Sequence, residues 1–163
     1  MRIALGCDHT GLELKSLVAS LLQDLGHQVQ DVGAYTLDPA DDYPDFANAL
    51  AEVVATGKAD RGIMVCGSGV GASVAANKTM GVRAAICHDI YSAHQGVEHD
   101  DMNVLCIGAR IIGEELAKEL VIAFVNAKFS NDSRHTRRLN KVRAIEEFNF
   151  AAPHALNEKG KDQ

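Results

Sequence analysis

Five short apolar runs punctuate the chain: Arg2 to Cys7, His27 to Val32, Gly62 to Cys66, Arg83 to Cys87 and Val104 to Ile107. Segments of helical character lie between them. In Leu12 to Leu25, the residues Leu14, Leu17, Val18, Leu21 and Leu25 recur near a 3.6-residue period, and Gly26 stops the pattern at a C′ position. Asp45 can cap a helix carrying Phe46, Leu50, Val53 and Val54. Ala72 to Lys78 and Asp89 to Gln95 read as short helices, Gly113 to Phe129 as a long one, and Ser133 to Phe148 as the last. Strands spaced by helices imply right-handed crossovers, hence an α/β fold with a five-stranded, mainly parallel sheet covered by helices on both faces.

The chain of 163 residues fits one domain at residues 1–150, followed by a polar tail at 151–163 that ends Lys159-Gly-Lys-Asp-Gln163. Apolar residues make up 47%, which argues against disorder, and no apolar run is long enough to span a membrane. Met1-Arg2 leads straight into a core-like strand, leaving no room for a secretory leader. A formal net charge of -6 and the lack of a long basic run argue against nucleic acid as a partner. Cys7, Cys66, Cys87 and Cys106 form no C-x-x-C pair and sit in or at the ends of strands, which fits a reducing cytoplasm better than a disulfide framework.

Chemistry concentrates where strands end. In open parallel sheets, ligands bind beyond the carboxyl ends of the strands. Three clusters fall there: Cys7-Asp8-His9, Cys66-Gly-Ser-Gly-Val-Gly71 and Cys87-His88-Asp89. The glycines of the second cluster open the backbone to a ligand, and amides backed by a helix N-terminus suit an anion. A helix N-terminus would also favour the thiolate of Cys66. The competing reading is a tight turn beside an inert, buried cysteine. Asp8 and His9 suit a sugar oxygen and a phosphate, although Asp8 can equally cap the turn at Thr10.

His99-Asp-Asp101 reads as a loop before the fifth strand, at the opposite sheet edge, where a symmetric neighbour would have to bring it to the same pocket. Histidine titrates near neutral pH, so His99 suits acid–base work. His88, His94 and His99 lack metal-ligand spacing, so no metal is expected. Arg134 and Arg138 share a helix face and can converge on one phosphate; the alternative is a solvated basic face pairing with Glu146 or Glu147.

Together these residues resemble the ribose-5-phosphate isomerase B family, which includes galactose-6-phosphate isomerase subunits. The likeness rests on Gly6-Cys-Asp-His9, Asp42-Tyr-Pro44, Cys66 to Gly71 with Ala75-Ala-Asn-Lys78, His99, Asn103-Val-Leu105, Gly108-Ala-Arg110, and Arg134 with Arg138. It implies a Rossmann-like three-layer subunit, a homodimer or dimer of dimers with shared active sites, and neither metal nor organic cofactor. It also implies an aldose–ketose isomerase acting on a phosphorylated sugar, most simply ribose 5-phosphate. Cys66 then matches the base, His99 the ring-opening group, and Gly67, Ser68, Gly69, Val70 and Gly71 the anion-stabilising loop, with Ser68 able to shuttle a proton. Asp8, His9, Arg110, Arg134 and Arg138 match sugar- and phosphate-binding positions, and Tyr43 a pocket wall.

One position departs from the resemblance. Asp100 stands where ribose-5-phosphate isomerases of the family usually carry Asn, and an ionised carboxylate cannot donate a hydrogen bond to an enediolate. Isomerases of erythrulose 4-phosphate, allose 6-phosphate or galactose 6-phosphate type are therefore the alternatives. A non-catalytic sugar-phosphate sensor is disfavoured by intact Cys66 and His99. A dinucleotide oxidoreductase is disfavoured because the glycine spacing is not G-x-G-x-x-G.

Overall fold

A computed structural model describes residues 1–151. The proposed tail beyond Ala151 lies outside the described residues. The elements are β1 (Arg2–Cys7), a 3₁₀ turn (His9–Gly11), α1 (Leu12–Asp24), β2 (Gln28–Asp31), α2 (Tyr43–Ala55), β3 (Arg61–Cys66), α3 (Val70–Ala76), β4 (Ala84–Ile86), α4 (Ile90–Asp100), β5 (Val104–Gly108), α5 (Glu114–Asn126) and α6 (Ser133–Ala151).

The five strands form one sheet in the order β2-β1-β3-β5-β4, and every pairing is parallel. The pleat sends alternate residues to opposite faces. Ile3, Leu5, Ile63, Val65, Leu105 and Ile107 pack with α1, α4 and α5 on one side. Ala4, Met64, Cys66, Val104 and Cys106 pack with α2 and α3 on the other. Two separate cores thus sandwich the sheet, as the alternation of strand and helix patterns predicts.

α1 ends as expected. Gly26 takes the left-handed conformation at φ 78°, and the amides of Gly26 and His27 bond back to Gln23 and Leu22. Its buried stripe is Leu14, Val18 and Leu22 rather than a stripe reaching Leu25, which is exposed beyond the last turn.

Two helices depart from expectation in ways that move functional residues. α2 starts at Tyr43, two residues before Asp45, with Asp42 at the N-cap and Pro44 in the first turn. Proline's fixed φ suits that turn, and Asp45 instead places its charge at the positive end of the helix. α4 continues past Gln95 to Asp100, so His99 sits on a helix rather than in a loop. The Asp89 carboxylate caps the start by accepting from the Ser92 amide at 2.7 Å. Gly96 lies within this helix against Met102; a Cβ there would meet the Met102 thioether at 3.2 Å. Asp101 ends the helix at φ 53°, and its carboxylate receives Arg83 at 2.7 Å and Arg143 of α6 at 3.4 Å.

Candidate active site

The strand order reverses between β1 and β3: the chain leaves β1 outward to β2, then returns to β3 on the other flank. A parallel sheet leaves a crevice at such a point. Here it is a cavity of about 360 Å³ lined by Asp8, Thr10, Tyr43, Cys66, Gly67, Ser68, Gly71, Arg110 and Ile111.

Cys66 closes β3, and its Sγ donates to Asp8 Oδ2 at 3.0 Å. The other Asp8 oxygen accepts from the Thr10 amide at 2.9 Å and from the Thr10 hydroxyl. One Asp8 oxygen thus caps the turn at Thr10 while the other receives the Cys66 thiol. All four cysteines are free and buried, but Cys66 alone lines this cavity. Burial of Cys7 and Cys87 lifts each thiol to about 11.

Burial also raises Cys66, and the Asp8 carboxylate raises it further; the amides of Gly69 and Gly67 act against them. The expectation that the turn would favour a thiolate is corrected. The amides pull in that direction, yet burial and a neighbouring negative charge outweigh them, and the resting group is a thiol.

The glycines of the loop have three distinct reasons. Gly69 adopts φ 81°, a left-handed conformation that reverses the chain into α3. Gly71 makes room for a protein side chain rather than a ligand, since a Cβ there would lie 2.5 Å from Cζ of Tyr43. Gly67 lies under Arg110 and accepts the Arg110 amide at 3.0 Å. Gly67, Ser68 and Gly71 line the cavity, whereas Gly69 and Val70 shape the turn outside its wall.

Arg110 forms no ion pair among the described residues. His88, from the third strand-end cluster, accepts the Gly108 amide at 3.0 Å and is absorbed in holding β5. His9 turns to an adjacent cavity of about 500 Å³, which shares Thr10 with the first.

A second cluster forms around His99. Its Nδ1 accepts from Gln95 Nε2 at 2.7 Å, which puts the neutral ring's proton on Nε2, a hydrogen-bond donor. Its ring stacks on His135 with centroids 4.0 Å apart. His135 was invisible to the sequence reading, although its i, i+4 partner Leu139 marks the buried stripe of α6. Burial first, and then His99 beside it, lowers the His135 pKa. Arg134 and Arg138 flank this stripe and are exposed, and Glu146 bonds the Gly81 amide rather than either arginine.

The single chain does not unite the two clusters. Cys66 pairs with Gly108 at the carboxyl end of β5, while His99 precedes the amino end at Val104. That sheet edge-to-edge distance is roughly 15 Å at about 3.3 Å per residue. Asp100 stands exposed beside His99.

Residues 3–142 match the Ribose/Galactose Isomerase family. The chain belongs to this family.

It is 43% identical over 146 residues to ribose-5-phosphate isomerase B of Escherichia coli, covering 90% of this chain and 97% of that protein. It is 42% identical over 132 residues to D-erythrulose-4-phosphate isomerase of Pectobacterium atrosepticum, covering 79% and 85%. The structure of Clostridium thermocellum ribose-5-phosphate isomerase B superposes with a TM-score of 0.88 at 42% identity, covering 91% of this chain and 99% of that one. The fold and the family's aldose–ketose isomerase chemistry are thus those expected from Gly6 to Arg138. No helix among the described residues is long and apolar enough to cross a membrane.

Proposed function

We propose that this isomerase interconverts ribose 5-phosphate and ribulose 5-phosphate through a cis-enediolate, with Cys66 as the base. One observation carries the reading: a thiol, a buried carboxylate and the Arg110 guanidinium, which forms no ion pair among the described residues, converge on one cavity at the reversal point of the sheet. When a sugar hydroxyl takes over Asp8 Oδ2, the thiol loses its acceptor and its proton leaves to solvent. The amides of Gly67 and Gly69 hold the resulting thiolate. Sγ then takes the C2 proton, the C2 electron pair forms the enediolate, and Sγ returns the proton to C1. Ser68, exposed on the rim, carries the hydroxyl proton from O2 to O1. Arg110 faces the developing oxyanion, where a well-aimed donor is worth on the order of 3 kcal/mol.

Ring opening requires an acid at the ring oxygen, and His99 Nε2–H is a donor oriented by Gln95. Its placement at the other sheet edge supports a dimer in which His99, Arg134 and Arg138 reach the partner's Cys66 cavity. α6 carries Val142, Ile145 and Phe148 exposed at 52%, 63% and 74%, apolar surface that a second copy would cover. Dimers could pair further. Four free cysteines fit a reducing cytoplasm. No step of this chemistry calls for a metal or an organic cofactor.

In this arrangement Arg134 and Arg138 take the phosphate. Replacing either by alanine should cut kcat/KM for the phosphorylated sugar by about 30-fold or more, the loss expected for a desolvated charged contact. The same change should leave the slow turnover of free ribose within about threefold. Equal losses on both sugars would make the arginines structural.

Asp100 favours a second reading, in which the substrate is a tetrose phosphate such as erythrulose 4-phosphate. A carboxylate beside the acid accepts a sugar hydroxyl but opposes an enediolate. The deciding measurement is kcat/KM across four-, five- and six-carbon aldose and ketose phosphates, for the wild type and Asp100→Asn. A wild-type preference for ribose 5-phosphate, unchanged by Asp100→Asn, upholds the pentose assignment. A tetrose preference that Asp100→Asn shifts toward ribose 5-phosphate replaces it.

A further inference from the structure

We propose that Thr10 is a specificity-determining residue, whose hydroxyl gives its hydrogen to Asp8 and accepts one from a non-reacting hydroxyl of the sugar. The proposal rests on the reading that a sugar phosphate enters this site. The 3₁₀ turn after β1 places the side chain. Its amide and its hydroxyl both donate to Asp8 Oδ1, the amide at 2.9 Å, while Asp8 Oδ2 receives the Cys66 thiol at 3.0 Å. Both carboxylate oxygens are thus acceptors, and a hydroxyl has one hydrogen and two lone pairs. With that hydrogen committed to Asp8, Thr10 Oγ1 offers a ligand only lone pairs.

Among the described residues, Thr10 alone lines both the Cys66 cavity and the cavity beside His9. A sugar chain reaching from Cys66 toward His9 passes it. A Cβ on Gly67 would lie 3.4 Å from Thr10 Oγ1 and 3.6 Å from Arg110 Cδ, so the hydroxyl stands opposite the bare start of the glycine loop with Arg110 alongside. The turn beneath is pressed onto β3: the Gly11 amide bonds Asp8 O at 3.1 Å, and a Cβ on Gly11 would meet Val65 O at 2.8 Å. The neighbouring His9 is held by Asp41, which accepts its amide at 2.8 Å and meets Nδ1 at 2.5 Å. Thr10 Oγ1 donates to Asp8 but accepts from no group among the described residues. A site that bonds a hydroxyl discriminates against an analogue lacking it. Valine has the shape of threonine without the hydroxyl, which makes Thr10→Val the probe.

The test pairs the residue with the sugar group it meets. Calorimetry gives Kd for ribitol 5-phosphate and erythritol 4-phosphate, which cannot isomerise, and for counterparts that lack a single non-reacting hydroxyl. With the tighter of the two parents, Thr10→Val should weaken binding about 5- to 30-fold, the scale of a hydrogen bond whose loss strands a sugar donor. Thr10→Ser should recover binding to within about threefold of wild type. For one of the deoxy alditols, Thr10→Val should cost less than about twofold, since the sugar's half of the contact is already gone. Any disturbance of Asp8 is common to every ligand and drops out of that comparison. Fluorine in place of the same hydroxyl cannot donate, so the fluoro-alditol should bind like the deoxy one. Equal losses across all ligands would reduce Thr10 to a support for Asp8 and overturn the proposal. A fluoro-alditol that binds as its parent does overturns it too, as does failure of both parents to bind the wild type. If the cycle holds but no sugar phosphate is turned over, the function above fails while the assignment of Thr10 stands.

Discussion

Replacing Cys66 by alanine should lower kcat by about a thousandfold or more, the scale of a lost general base, with the protein still folded. The side chain ends β3 beside a cavity and also packs in the core under α2 and α3, from which alanine removes a single sulfur atom. Iodoacetamide should inactivate the wild type, and a bound sugar phosphate should protect it. The pH dependence follows from the environment of the thiol. Burial and Asp8 hold the Cys66 pKa above its ordinary range, so the alkylation rate of the free enzyme should still be climbing through the pH at which an ordinary thiol levels off. Asp8→Asn removes a negative charge and an acceptor that favour the neutral thiol. The alkylation profile should therefore shift to lower pH, even though turnover falls with the loss of a substrate contact. Turnover of Cys66→Ala within tenfold of wild type would assign the base elsewhere. An unshifted alkylation profile in Asp8→Asn would mean that burial alone governs the thiol.

Mixing two dead variants should restore activity. Cys66→Ala keeps an intact His99 cluster, and His99→Ala keeps an intact Cys66 cavity. If each active site takes one cluster from each subunit, a hybrid dimer carries one complete site and one doubly defective site. Random exchange makes half the dimers hybrids, so recovery should approach about a quarter of wild-type activity under two-fold symmetry. Subunit exchange is followed by mass spectrometry of isotope-labelled chains. Exchange without recovered activity would show that both clusters serve the same site within one subunit. A monomer in sedimentation would remove the shared-site arrangement altogether.

Much of this protein is readable from the chain alone because local patterns and the global fold agree. Strand runs such as Ile63-Met-Val-Cys66 are short and apolar, helical stretches between them are amphipathic, and parallel crossovers are the economical way to join them. The location of the chemistry follows from the same logic, since strand ends after β1 and β3 are where a parallel sheet leaves a crevice. Asp8, Cys66, Ser68 and Arg110 come together there as their positions suggest.

Other features depend on through-space neighbours. The start of α2 at Tyr43 goes with a proline in its first turn, a local signal, whereas the Gly96 face of α4 lies against Met102. The protonation of Cys66 is set first by its burial and then by Asp8, which lies 58 residues away in sequence. Asp41 holds the His9 ring and Gln95 the His99 ring, and His135 is covered by its stack on His99. Sequence determined the layered sheet, the crevice and the reactive groups at its rim, because period and spacing are local properties. Tertiary structure decided which proton each group carries, because hydrogen-bond partners and burial act through space, without regard to distance along the chain.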